Sequence, residues 1–230
     1  AMISVQSVYE SVKNLANKDQ KGFVTPEVFN SFAKIAQLNV FQEVFMKSSQ
    51  GRKLQKGMMD AEDGLSFYER NRADLGGFSK TQGLVKSGGG FNFPDDFYSL
   101  ISVKTRNIPA FKVDIIYDER KAMEIVNSTL SAPTEEYPVA LVSNKIEVFP
   151  TSTSKVDIKY YRTPKPPRYS MNVYSLNGSP VEQFDPSSSE NFELPSHYEQ
   201  DVVFEIAKMV GVNLKEQIIQ AYGQSEDNQS

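Results

Sequence analysis

His197 is the single histidine of a 230-residue chain that contains no cysteine. A Ser-His-Asp mechanism would have to run through that one imidazole, and a multi-histidine metal site cannot be built within one subunit. Disulfides, thiolate catalysis and cysteine-held zinc or iron-sulfur centres are excluded outright. His197 falls in the first turn of the last expected helix, beside Tyr198 and Glu199, where a neutral imidazole is an ordinary surface group.

Other chemical patterns are incomplete. Asn17, Asp19 and Gly22 with Val24 imitate a calcium loop, but lysine stands at its fifth position and Val28 where a bidentate glutamate belongs. Gly88-Gly89-Gly90 is followed by Phe91-Asn92-Phe93-Pro94 and lacks the Lys-Ser/Thr of a phosphate loop, so it reads as a turn. Gly77-Phe78-Ser79-Lys80 lacks the second glycine of a nucleophile elbow. The acidic pairs Asp95-Asp96, Asp118-Glu119 and Glu135-Glu136 read as loop and helix-start charges. No catalytic, cofactor-binding or metal residue is therefore assigned, and no cofactor is expected. Tyr160, Tyr161, Arg162, Lys165, Arg168 and Tyr169 form the one basic and aromatic cluster, suited to base stacking or to anchoring a protein interface.

The elements that must position these residues change character along the chain. Val5, Val8, Tyr9, Val12, Leu15 and Ala16 predict a first amphipathic helix, and Thr25-Pro26-Glu27 is a strong start for a second over about 26–48. The apolar positions of this second helix spread beyond one stripe through Ile35, Leu38 and Phe41, which predicts burial on more than one side. A third helix is expected over about 59–74, stopped by Gly76-Gly77. Strands follow at 99–105, 111–117, 139–142, 145–149 and 155–162, with a tight Ser143-Asn144 hairpin and a short helix within 118–130. Residues 163–196 read as a long proline-rich connection with room for one short strand, 171–175. A last helix starts at Leu194-Pro195 and runs to Gly211; Leu214, Ile218, Ile219 and Tyr222 then suggest further helical turns before a polar tail.

This order predicts an α+β fold, a helical bundle from N- and C-terminal helices with an inserted antiparallel β region. The expected parts are 3–77 helical, 78–193 β-rich with one short helix, 194–223 completing the bundle, and a flexible tail at 224–230. Hydrophobic residues make up 39% of the chain, and no apolar run approaches the roughly 18 residues of a membrane span. A net charge of −4 argues against a dedicated duplex-DNA binder. Ala1-Met2 reads as a tag remnant before the initiator, and no secretory signal is expected.

Several phrases together resemble virion structural proteins of tailed bacteriophages, notably short-tailed crAss-like phages. They are the Ser4–Tyr9 helix with Asn17–Asn30, Phe91-Asn92-Phe93-Pro94-Asp95-Asp96-Phe97-Tyr98, Tyr137-Pro138-Val139-Ala140, Lys159–Pro164, and Phe192-Glu193-Leu194-Pro195 leading to Ile206–Val212. Within that group the chain is most similar to head-to-tail connectors, the adaptor or tail-tubular ring below the portal. The resemblance implies a non-enzymatic subunit of a homo-oligomeric, twelve-fold ring in the virion neck or tail, made in the bacterial host cytoplasm. It implies the portal protein and neighbouring neck or tail rings as partners, DNA passing through without sequence-specific binding, and no membrane. Candidate interface residues are Tyr160, Tyr161, Arg162, Lys165, Arg168 and Tyr169, with Leu214, Ile218, Ile219 and Tyr222 as a docking segment. Other positions in the particle, such as a tail hub or head protein, are the alternative. A carboxylate-dependent hydrolase is the alternative of another class, and a nucleic-acid-binding module rests on the Tyr160–Tyr169 cluster alone.

Overall fold

The computed structural model describes residues 2–18, 24–55, 73–176 and 179–211. The chain is mixed α+β and divides into two compact units, residues 1–74 with 164–230, and residues 75–163.

In the first unit, helix α1 (Val5–Lys18) buries Val5, Val8, Tyr9, Val12 and Ala16, the 3.6-residue stripe its sequence prescribes. Helix α2 (Pro26–Gln55) starts where Thr25 caps it, the Thr25 hydroxyl accepting from the Val28 N–H at 3.4 Å. Its buried positions, Phe29, Ala33, Ala36, Gln37, Val40, Phe41, Val44 and Ser48, form a single face. The expectation of burial on more than one side is corrected by Ile35 and Met46, which are exposed. The helix also continues past the expected stop near Ser48 to Gln55, because adding a residue to a formed helix costs far less than nucleating one. Helix α4 (Glu199–Val210) buries Val202, Val203, Ile206 and Ala207, packs against α1 and α2, and ends at Gly211 with φ 86°.

The connection before α4 carries two strands where the sequence suggested one: β7 (Met171–Leu176) and β8 (Ser179–Phe184) pair antiparallel from Met171↔Phe184 to Leu176↔Ser179. Their two-residue link is Asn177-Gly178, the preferred pair for such a hairpin, and these two residues lie outside the described set. Pro180 masked the second strand, but in a two-stranded ribbon every strand is an edge and tolerates proline.

The second unit is a curled six-stranded sheet of order β1-β6-β2-β3-β4-β5. The strands are β1 (Ser79–Val85), β2 (Phe97–Thr105), β3 (Lys112–Ile116), β4 (Val139–Val142), β5 (Ile146–Phe149) and β6 (Lys155–Arg162). Strand β6 alternates strictly, with Val156, Ile158 and Tyr160 in the core and Lys155 and Lys159 outward. Two register irregularities where β2 meets β6 bend the ladder, and a bridge between Phe91 and Ile146 brings the segment after β1 onto β5. Phe91, Ile146, Val103, Val113 and Val148 complete this core.

One pairing corrects the all-antiparallel expectation: β3 and β4 are parallel, Asp114↔Val139 to Ile116↔Leu141. Parallel strands need a crossover of a dozen residues or more, and the chain between them carries helix α3 (Glu119–Val126), capped by Asp118. The sequence cue for that helix was sound; its topological consequence was not drawn from it. Residues 56–72, most of the expected third helix, lie outside the described residues, and 73–76 form a helical turn before Gly77.

Candidate functional site

The basic and aromatic cluster is contiguous in sequence but is divided between the two units. Strand alternation sends Tyr160 inward, fully buried, and leaves Tyr161 and Arg162 half-buried. The Tyr160 hydroxyl donates to Asp96 Oδ1 at 2.7 Å, and Gln82 Oε1 lies 3.1 Å from it. Lys80 Nζ donates to Asp96 Oδ2 at 2.8 Å. Those hydrogen bonds, from Lys80 first and then Tyr160, hold the Asp96 carboxyl below its ordinary range. The hydrogen bond to Asp96 likewise raises Lys80, and burial raises the Tyr160 phenol. Arg162 donates from Nη1 to the Thr163 carbonyl at 3.2 Å and stands over the Phe78 ring, 5.6 Å from its centre.

Lys165, Arg168 and Tyr169 belong to the first unit. Lys165 and Arg168 are exposed, whereas Tyr169 is buried, its ring stacked on Tyr9 at 4.1 Å and on Phe184 at 5.2 Å. Burial raises its phenol pKa. Tyr160 and Tyr169 are thus core residues and not the surface anchors they were expected to be. Leu214, Ile218, Ile219 and Tyr222 lie outside the described residues.

Two amides of α2 that sequence reasoning passed over, the half-buried Asn30 and the buried Gln37, organise the chain around Tyr169. Asn30 receives the Tyr169 N–H at 2.7 Å and donates to the Tyr169 carbonyl at 2.9 Å. Two turns further along α2, Gln37, 1% exposed, donates to the Lys165 carbonyl at 2.6 Å and accepts from the Glu193 N–H at 2.8 Å. Each amide serves as a one-residue strand partner for the returning chain. A Gln within an apolar helical stripe was the available signal.

His197 Nε2 lies 3.0 Å from Asp74 Oδ2, which also accepts from the Tyr198 hydroxyl at 3.0 Å. Ser11, Ser196, His197, Glu199, Val203 and Phe204 line a shallow depression of about 710 Å³ there. One carboxylate oxygen holding two neighbouring rings anchors the 3-10 turn Ser196–Tyr198 that leads into α4. The acidic pairs have similar duties: Asp118 caps α3, and Glu135 accepts from Ser152 at 3.4 Å.

The triple glycine forms a two-residue turn. Gly88 and Gly89 have φ 59° and 87°, and Ser87 and Gly90 exchange both backbone hydrogen bonds, at 2.7 and 3.2 Å, the geometry of a type I′ hairpin. Lys145 Nζ donates to the Gly88 carbonyl at 3.2 Å. Asp19–Phe23 of the calcium-like loop lie outside the described residues. Among the described residues no group of three or more His, Asp and Glu side chains is placed to hold a metal ion, and no helix is long and apolar enough to cross a membrane.

A second groove, of about 630 Å³, opens on the sheet unit between α3, β3 and the 130–137 segment. Its rim residues Leu130 and Tyr137 are 96% and 76% exposed. Comparison with protein-family models and with curated proteins found no match to this chain.

Proposed function

We propose that the chain is a non-enzymatic virion protein of a tailed bacteriophage, a head-to-tail connector subunit. In this reading α1, α2 and α4 form a helical bundle from the N- and C-terminal helices, with the β part inserted, and copies assemble as a ring between portal and tail through which DNA passes. The resemblance of the quoted phrases motivates it. The observation that carries it is that one unit takes its helices from both ends of the chain, while residues 75–163 form the other. The resemblance implies helices around an inserted β region, and this division supports that reading.

A second feature suits a subunit made to be covered. The β7–β8 ribbon exposes Val173 on one face and Tyr174 and Val181 on the other, at 65%, 53% and 43%, and an isolated two-stranded ribbon is marginal in water by itself. Tyr161, Arg162, Lys165 and Arg168 are the cluster residues that are not fully buried, each in its own unit.

Native mass spectrometry of the chain, alone and with the portal protein of the same genome, tests the reading. A stoichiometric complex matching the portal's symmetry supports it. A chain that stays monomeric and ignores the portal removes it from the neck and leaves a tail-hub or head position, which mapping on the particle decides.

A further inference from the structure

Helix α3 covers the parallel β3–β4 pair incompletely. A crossover helix ordinarily hides its apolar stripe against the sheet, but here only Ala122 is fully buried, with Ile125 and Val126 half-buried. The result is the 630 Å³ groove: Ile116, Ile125 and Val139 lie half-buried along it, Leu130 and Tyr137 stand exposed at its rim, and Asp114 and Lys121 contribute one charge of each sign.

The chain itself carries a segment of matching chemistry. Residues 212–230 follow Gly211, whose positive φ of 86° terminates α4. Leu214, Ile218, Ile219 and Tyr222 recur at helical spacing as one apolar stripe, with Lys215 and Glu216 beside it. An amphipathic helix laid into an apolar groove is read through anchors at this spacing. Lys215 and Glu216 complement Asp114 and Lys121 in sign.

We propose that Leu214–Tyr222 of one copy docks as a helix in the α3/β3/β4 groove of the next copy. Segment and groove are different surfaces, so the contact is heterologous and propagates from copy to copy until a ring closes. The proposal rests on the ring reading, because it names the contact through which the copies join.

The test uses two full-fold variants: a chain ending at Gly211, which keeps the groove, and Leu130→Glu, which keeps the segment. Leu130 is almost wholly exposed, so far-UV circular dichroism should show Leu130→Glu folded as the parent. Native mass spectrometry should find the parent oligomeric and each variant weakened at least tenfold in self-association. A one-to-one mixture of the two should give a dimer containing one of each and stopping there, since one intact groove and one intact segment remain. Variants that assemble like the parent, a mixture that stays monomeric, or a monomeric parent would each overturn the proposal. Portal binding separates the two readings: variants that lose self-association but still bind portal protein uphold both, and a parent that oligomerises by this contact yet ignores the portal upholds the groove alone.

Discussion

The two units each bury a tyrosine, and the difference in what holds it separates a sheet from a helical unit. Tyr160 is one rung of a ladder whose neighbours are fixed by backbone hydrogen bonds on both sides; its hydroxyl adds a bond to Asp96. Tyr169 sits on a connection that no sheet receives, and its place is set by the Asn30 amide and by ring stacking on Tyr9 and Phe184. Backbone ladders make the sheet unit tolerant of a lost side-chain contact. The helical unit concentrates the same task in a few side chains of α2.

The sharpest way to break that contrast is Gln37→Leu. It removes the side-chain partner of the Lys165 carbonyl and of the Glu193 N–H, both in partly buried bonds, at about 1 kcal/mol each, so the helical unit should lose about 2 kcal/mol. Amide hydrogen exchange should accelerate in α4 and at 164–195 while the β2–β6 ladder stays protected. Equal loss in both units would show that the ladder does not insulate the sheet. Next in size is Gly89→Ala, which forces a side chain into the left-handed region at a cost of about 1–2 kcal/mol; denaturant unfolding should show the loss in the sheet unit. Tyr160→Phe keeps the ring and removes the hydroxyl, and should cost only about 1 kcal/mol, with Asp96 still held by Lys80.

The smallest effect is in acid. Hydrogen bonds from Ser187 and Ser188 lower Asp185 from an ordinary 3.8 to about 2. A depressed carboxyl stabilises the fold above its unfolded value and loses that contribution as pH falls through the folded one. Protection at 185–189 should therefore decline between about pH 4 and pH 2, and Asp185→Asn should flatten that decline in a pH series of hydrogen exchange.

Much of the fold is legible from local pattern: the Thr25-Pro26 start of α2, the alternation of Val156, Ile158 and Tyr160, and the Gly211 stop all act within a few residues. Strand β1 escaped notice because only Leu84 in it is buried, and its place is set by pairing with β6 from Ser79↔Tyr161 to Val85↔Lys155. Gly83 in that strand does not resemble a strand residue either; it leaves space for the Arg106 guanidinium, which binds Asp157 at 2.5 Å and would clash with an added Cβ. Tyr160 was expected at the surface for a related reason: its neighbours in sequence do not show the alternation on β6 that turns it inward. The Asn30 and Gln37 clamps depend on partners 128–156 positions away, beyond any local signal.

The sheet unit begins and ends on adjacent strands: the Arg162 N–H donates to the Phe78 carbonyl at 2.9 Å, and Ser79 pairs with Tyr161. A stretch of chain whose entry and exit sit side by side behaves as a cassette. It can be lifted out, or exchanged for another of different length and surface, with only a short splice needed to rejoin the flanking chain.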